Sequence, residues 1–353
     1  MDVDVLIIGG GVTGTGIARD LALRGITSLL VEKSDINAGA SGANHGLLHS
    51  GARYVKNDGE SARECRDESL ILKKVAPHCI DDCGGLFVGI PGDDEHYLAD
   101  FPMLCRKNGI PCRELTLAEA WDLEPSLSRD IVAAHRVEDA AIDPFMLSLE
   151  NIADAKRLGS KAFCHTRLVR FDRDGRRIVC AWLEDMHGGR IWSISPGQVI
   201  NAAGAWAGRV AAMAGVSIDM VYSMGTLLVT QMRMSQGVIN RLRPPSDGDI
   251  LVPGGTVSIL GTTSVRVEDP DLISPTVPET DHIVAQGAMM VPGLEAVRYI
   301  RAYSGVRPLV RSGGDGRRPP CEPRFCPGGS RGPGPGQFHD HHRGQTDHLP
   351  SHG

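Results

Sequence analysis

The stretch VDVLIIGGGVTGTGIARDLALRGITSLLVE, residues 3–32, decides the fold. Val3 to Ile8 is a nearly continuous apolar run, the composition of a parallel strand covered on both faces. Gly9-Gly10-Gly11-Val12-Thr13-Gly14 follows at once; Ile17, Leu21 and Leu23 then lie among helix formers up to Arg24, and Gly25 closes the helix. Thr27 to Val31 makes a second apolar strand that ends on Glu32. Strand, glycine turn, helix, strand and acid in this order form a dinucleotide-binding fingerprint in its proper context. Gly9 allows the tight turn, Gly11 lets the backbone approach a pyrophosphate at the helix N-terminus, and Gly14 permits close helix–strand packing. Glu32 is placed to accept hydrogen bonds from a ribose. An acid there favours a free 2′-hydroxyl over a 2′-phosphate, so FAD or NAD fits better than NADP.

Outward from this unit, 353 residues supply enough chain for two domains or one large α/β domain with a buried core. With 41% hydrophobic and 23% charged residues, the composition excludes a disordered chain and a multi-span membrane protein. A formal charge of -6 argues against nucleic acid as a partner, while leaving room for a local basic pocket that takes a small anion. The nine cysteines are scattered and odd in number, with no paired CxxC spacing, which reads as reduced thiols rather than a metal site. Asp2 and Asp4 stand where a secretion signal would carry positive charge, so a cytoplasmic location is expected.

After Glu32 comes KSDINAGASGANHGLLHSGARY, residues 33–54, too polar for a core helix and too patterned for a linker. Its Ser41, Asn44, His45 and Gly46 are candidate cofactor contacts, and His49, Arg53 and Tyr54 are candidate substrate-site residues. Farther on stand DPFMLSLEN (143–151), NAAGAW (201–206), RPPSDGDILVPG (243–254), LGTTS (260–264) and RAYSGVRPLV (301–310). In this order the segments resemble the FAD-dependent glycerol-3-phosphate dehydrogenases, nearest to the large (A) subunits of the anaerobic bacterial enzymes, from Met1 to about Arg311. Two positions depart from the resemblance: Met224 stands where the family often has a basic residue, and Ala140 replaces a glycine.

The resemblance implies an α/β flavin domain of the glutathione-reductase or D-amino-acid-oxidase type, Rossmann-like, with an antiparallel-sheet substrate cap. Residues 1–85, 136–219 and 301–312 are expected to form the discontinuous FAD-binding domain, and 86–135 and 220–300 the cap. Gln198 to Ile200 would return to the flavin sheet, and Ala203 and Gly204 would let the backbone approach FAD. Arg53 and Arg307 match the family's substrate-binding arginines, and a guanidinium suits a phosphate because it offers paired donors at fixed charge. Gly305 and Pro308 suggest a bend aiming Arg307 into a cleft. The implied reaction is oxidation of sn-glycerol 3-phosphate to dihydroxyacetone phosphate, with electrons passed to quinone through partner subunits at the inner membrane face. His49 is the candidate base for the hydroxyl proton, or else a group that orients the flavin. Thr262 and Thr263 are weaker candidates, since β-branched residues also line strand edges.

Beyond Arg311 the composition breaks into glycine, proline and arginine, and five of the chain's 13 histidines follow Gln337. Nothing in the sequence orders these histidines, so no metal is expected. Synonymous codons exist for which residues 336–353, read one base later, spell NFMTITGGKLTTYRLMA, which resembles the family's flavin-closing GGK segment. The same offset over Pro319 to Arg331 permits RRVSRGFALVDH, so a frameshift near residues 313–319 and an aberrant, disordered tail over 313–353 are expected. Two alternatives stay open: another FAD-dependent hydroxy-acid or amine oxidoreductase, and an inactive truncated product.

Overall fold

The computed structural model describes residues 2–311 and the short segment Phe338–Asp340. Its first sheet grows from β1 (Asp2–Ile8), which leads through the glycine turn into α1 (Val12–Leu23) and then β2 (Ser28–Val31). β1 pairs in parallel with β2 on one side and with the second half of strand Ile191–Asn201 on the other. β2 in turn pairs in parallel with Lys161–Phe163. An antiparallel hairpin, Thr166–Asp174 and Arg177–Asp185, joins the first half of Ile191–Asn201.

Successive side chains of a strand point to opposite faces, and β1 buries both. Val5 and Ile7 pack on Ala18 and Ala22 of α1 and on Ile152 and Ala155 of helix Pro144–Arg157. Leu6 and Ile8 pack on the other side with Leu29, Val31, Phe171 and Leu183. Each such large apolar side chain contributes about 1.5–3 kcal/mol on burial, so both layers hold the glycine turn in place.

Phe338–Asp340 lies parallel beside Val199–Asn201. A short strand from the segment set apart by composition is therefore hydrogen-bonded into the first sheet. The remainder of that segment, including both stretches on which the codon-frame reading rests apart from these three residues, lies outside the described residues.

The second sheet has nine strands, and the long strand Met220–Thr230 organises it. On one side Met220–Thr230 pairs along its whole length with Tyr299–Val310; on the other it meets Val257–Gly261 and Val265–Val267. The sheet continues through Ile250–Gly254, Val238–Arg241, Gly85–Gly89, Ala133–Val137 and Cys112–Leu115. Helix Val277–Met290 covers it, started by a capping box in which Thr276 and Glu279 satisfy each other's backbone N–H groups.

Two sequence expectations change here. The resemblance puts residues 301–310 in the FAD-binding domain, yet they run in the second sheet, where cross-strand hydrogen bonds to residues 220–229 hold them. No bend occurs at Gly305 or Pro308: Gly305 is opposite Gly225 and Pro308 opposite Tyr222 in regular register. Proline is tolerated because this strand pairs on one side only, so no ladder bond is lost.

Candidate active site

The glycine turn has the close contacts that a dinucleotide cradle requires. Gly9 has φ +115, and a Cβ there would lie 2.7 Å from the Ala202 carbonyl carbon. At Gly14 a Cβ would strike the Gly9 carbonyl, which is how closely α1 approaches β1. At Gly11 it would come within 2.9 Å of Ser41 Oγ, the atom that accepts the Val12 N–H at 3.0 Å. Ser41 thus lies over the N-terminus of α1, where the aligned backbone dipoles favour an anion.

Glu32 accepts the Gly10 N–H at 2.7 Å and the Ser34 N–H at 2.9 Å. Two backbone donors fix its orientation and leave lone pairs for ribose hydroxyls. Asn44 pins the following loop: its Nδ2 donates to the Ser41 carbonyl at 2.8 Å and its Oδ1 accepts the Gly46 N–H at 2.7 Å. Gly46 has φ +68 and faces the Ile142 carbonyl. Ala203 donates its N–H to Asn201 Oδ1 at 3.3 Å, and Gly204, with φ +53, opens the 3-10 turn Gly204–Trp206 in space a Cβ would not fill. These residues fit FAD: β-carbons are excluded at Gly9, Gly11 and Gly14, and an acid stands at the end of β2.

The second sheet meets this loop through one face of strand Tyr299–Val310. Tyr303 donates its hydroxyl to the Asn44 carbonyl at 2.6 Å. Gly305 allows the closest approach, since a Cβ would lie 2.9 Å from Ala43 Cβ and nearer still to the Ala43 carbonyl oxygen. Arg307, two residues on, donates to the Thr263 carbonyl at 3.2 Å and to Thr262 Oγ1 at 3.1 Å. Gly225 leaves the room, because a Cβ there would be 2.9 Å from the Arg307 Nη2. Behind this pair, Glu279 Oε1 accepts the Thr263 and Thr226 hydroxyls at 3.0 and 3.1 Å, so the capping glutamate also stiffens the arginine's support.

Arg53 lies in the 3-10 turn Ala52–Tyr54. Its side chain is only 11% exposed, and its contact with the fully buried Asp249 is long, 3.5 Å. Asp249 is better held by Arg243 at 2.7 Å, and Arg53 Nη1 is buried with no hydrogen-bond partner. An unsatisfied buried guanidinium N–H is costly, typically about 1–3 kcal/mol and more for a charged group, and such sites are stable when a ligand supplies the acceptor.

His45 links the two arginines. Burial, then the Arg307 charge, then the Arg53 charge push its pKa down from 6.5 to about 3. Its Nδ1 accepts the Leu47 N–H at 3.2 Å, so the neutral ring carries its proton on Nε2 and can donate there. His49 is buried, its ring 6.2 Å from that of His45 and 5.4 Å from that of Tyr54. Tyr54 packs in a core cluster with Phe87, Tyr97 and Phe101.

The structure therefore brings His45, Arg53 and Arg307 into one electrostatic neighbourhood, with His49 and Tyr54 stacked behind. Sequence reasoning missed Tyr303, Gly305, Gly225, Ser223 and Glu279. The alternation of Tyr303, Gly305 and Arg307 on one strand face was a visible signal. Met224 is buried. Among the described residues no group of three or more His, Cys, Asp or Glu could hold a metal, and no helix is long and apolar enough to cross a membrane. Seven cysteines fall among the described residues, and all are free.

A dinucleotide cradle on a parallel sheet, roofed by a second, mainly antiparallel sheet that delivers an arginine to the cradle's loop, defines a flavin-dependent oxidoreductase. The sequence pattern of the FAD dependent oxidoreductase family matches residues 4–333, and the chain belongs to that family, whose cofactor is FAD. It is 43% identical over 314 residues to the A-chain component of the anaerobic glycerol-3-phosphate dehydrogenase of Escherichia coli K12, covering 88% of this chain and 58% of that protein. It is 44% identical over 317 residues to the corresponding component of the Haemophilus influenzae enzyme, covering 89% and 56%. The chain thus spans little more than half the length of these relatives. Among solved structures, glycine oxidase from Bacillus cereus has a TM-score of 0.73 at 20% identity, covering 87% of this chain and 83% of that one. Glycerol-3-phosphate dehydrogenase from Bacillus halodurans, complexed with FAD, has a TM-score of 0.69 at 23% identity, covering 88% and 57%. Both share the fold.

Proposed function

We propose that this chain oxidises sn-glycerol 3-phosphate to dihydroxyacetone phosphate, and that partner subunits at the inner membrane face carry the electrons to quinone. The observation that carries the reading is the buried, unpartnered Nη1 of Arg53 in the neighbourhood of Arg307, two fixed cations that together call for a small dianion. The relatives named above support the same substrate. FAD, when bound, supplies the two-electron acceptor.

The chain's own residues bind and orient. Arg53 and Arg307 hold the phosphate, and the Asp249 and Glu279 networks keep each from turning away. His45 donates from Nε2 to a substrate oxygen while its ring stays neutral. As the phosphate neutralises both guanidinium charges, the field that depresses the His45 pKa weakens and its ring becomes more basic. His49, buried between His45 and Tyr54, is the base that takes the hydroxyl proton.

Dye-coupled turnover of the FAD-loaded chain tests this. sn-Glycerol 3-phosphate should be oxidised while glycerol, lactate and glycine are not, and Arg53→Ala should raise KM about 10- to 100-fold, as for loss of one charged hydrogen bond. Equal turnover of glycerol or glycine would overturn the reading.

A further inference from the structure

A cluster on the second sheet's side of the molecule has no part in the substrate site. Between strand Val265–Val267 and helix Val277–Met290, a loop carries Asp269 and Asp271. Asp271 accepts the Trp206 indole N–H at 2.8 Å and pairs with Arg209 and, at 3.4 Å, with Lys33. Asp269 pairs with Arg209 at 2.7 Å. The Lys33 ammonium lies 3.7 Å from the centre of the Trp206 ring, and that ring packs so closely on the cradle loop that a Cβ at Gly39 would touch it at 3.3 Å.

The three segments that meet here are informative. Lys33 follows Glu32, the ribose acid. Trp206 ends the turn begun by Gly204. Asp269 and Asp271 belong to the cap. One cap loop therefore fastens both flanks of the FAD cradle, through an aromatic ring laid on the loop that holds Ser41.

We propose that Asp271, with Asp269, is a positioning residue for FAD: the 268–275 loop acts as a clasp that keeps Trp206 and Lys33 over the cradle and slows cofactor release. The inference rests on FAD as the cofactor and is independent of the substrate. Each pair is partly exposed, so each alone contributes little, and the bond network with the buried edge of the indole gives the clasp its strength.

The full chain loaded with FAD is diluted into excess apo-acceptor protein, and flavin release is followed by fluorescence. Asp271→Ala and Arg209→Ala, which break the clasp from opposite sides, should each speed release by about fivefold or more. Raising salt from 50 to 500 mM should speed release from the parent and change the two variants much less. Glu119→Ala, which removes an exposed ion pair to Arg113 elsewhere on the cap, serves as the control and should keep the parent rate. Release at the parent rate from both clasp variants would overturn the proposal, as would equal acceleration by Glu119→Ala.

Discussion

Replacing Gly305 by alanine tests how the two sheets are held in register around the site. The strand Tyr299–Val310 touches the flavin loop at this residue, with an added Cβ only 2.9 Å from Ala43 Cβ and closer to the Ala43 carbonyl oxygen. Carbon atoms in good contact stand about 3.5–4.0 Å apart, so strand and loop must separate by about 1 Å. Both contact partners are held: Ala43 donates its N–H to Gly39, and Tyr303 is tied to Asn44 at 2.6 Å. Overpacking of this kind costs roughly 1–3 kcal/mol. The displaced strand also carries Arg307, and a shift of about 1 Å in a positioning group can cost on the order of 100-fold in rate. Anaerobic stopped-flow reduction of the bound flavin, with thermal melting alongside, reads both effects. Gly305→Ala should melt lower and reduce slowly. Gly254→Ala, whose added Cβ has no neighbour closer than 3.8 Å, should behave as the parent in this assay. Parent-like melting and reduction in Gly305→Ala would refute the contact argument.

Other outcomes follow from the same geometry. Gly14→Ala sets a methyl against the Gly9 carbonyl, so the purified variant should hold little FAD, as read from its absorbance ratio to the parent. Stability should depend on pH through His45, whose folded pKa lies below its unfolded value: the unfolded chain takes up a proton below 6.5 and the folded chain only near 3. This contribution is intact above pH 6.5 and is lost as pH falls towards 3. At pH 5 it amounts to about 2 kcal/mol against the fold. Urea titrations of the parent and His45→Asn at pH 7.5 and pH 5 should show the parent losing that much more; parallel losses would count against a neutral His45.

The β1–α1–β2 unit was legible because its signals are local: apolar runs, glycine spacing and a terminal acid all lie within 30 residues. The capping box of Thr276 and Glu279 could also be read from spacing, but not the use of the second carboxylate oxygen by Thr226 and Thr263. The docking of Tyr303 and Gly305 on residues 43–44 pairs segments some 260 residues apart. Gly305 reads as a bend in the sequence because glycine and proline punctuate local structure, whereas here glycine serves a tertiary contact. His49 stands out in the sequence as a base, and nothing there signals that His45 would feel both arginines, since that field exists only after folding.

An anaerobic absorbance titration tests the central claim most directly. The FAD-loaded chain is mixed with sn-glycerol 3-phosphate and the flavin band near 450 nm is followed, with glycerol and an Arg307→Ala variant alongside. Bleaching by the phosphate ester alone, weakened in Arg307→Ala, is the result this account requires. A flavin that stays oxidised with sn-glycerol 3-phosphate, or bleaches equally with glycerol, would contradict it.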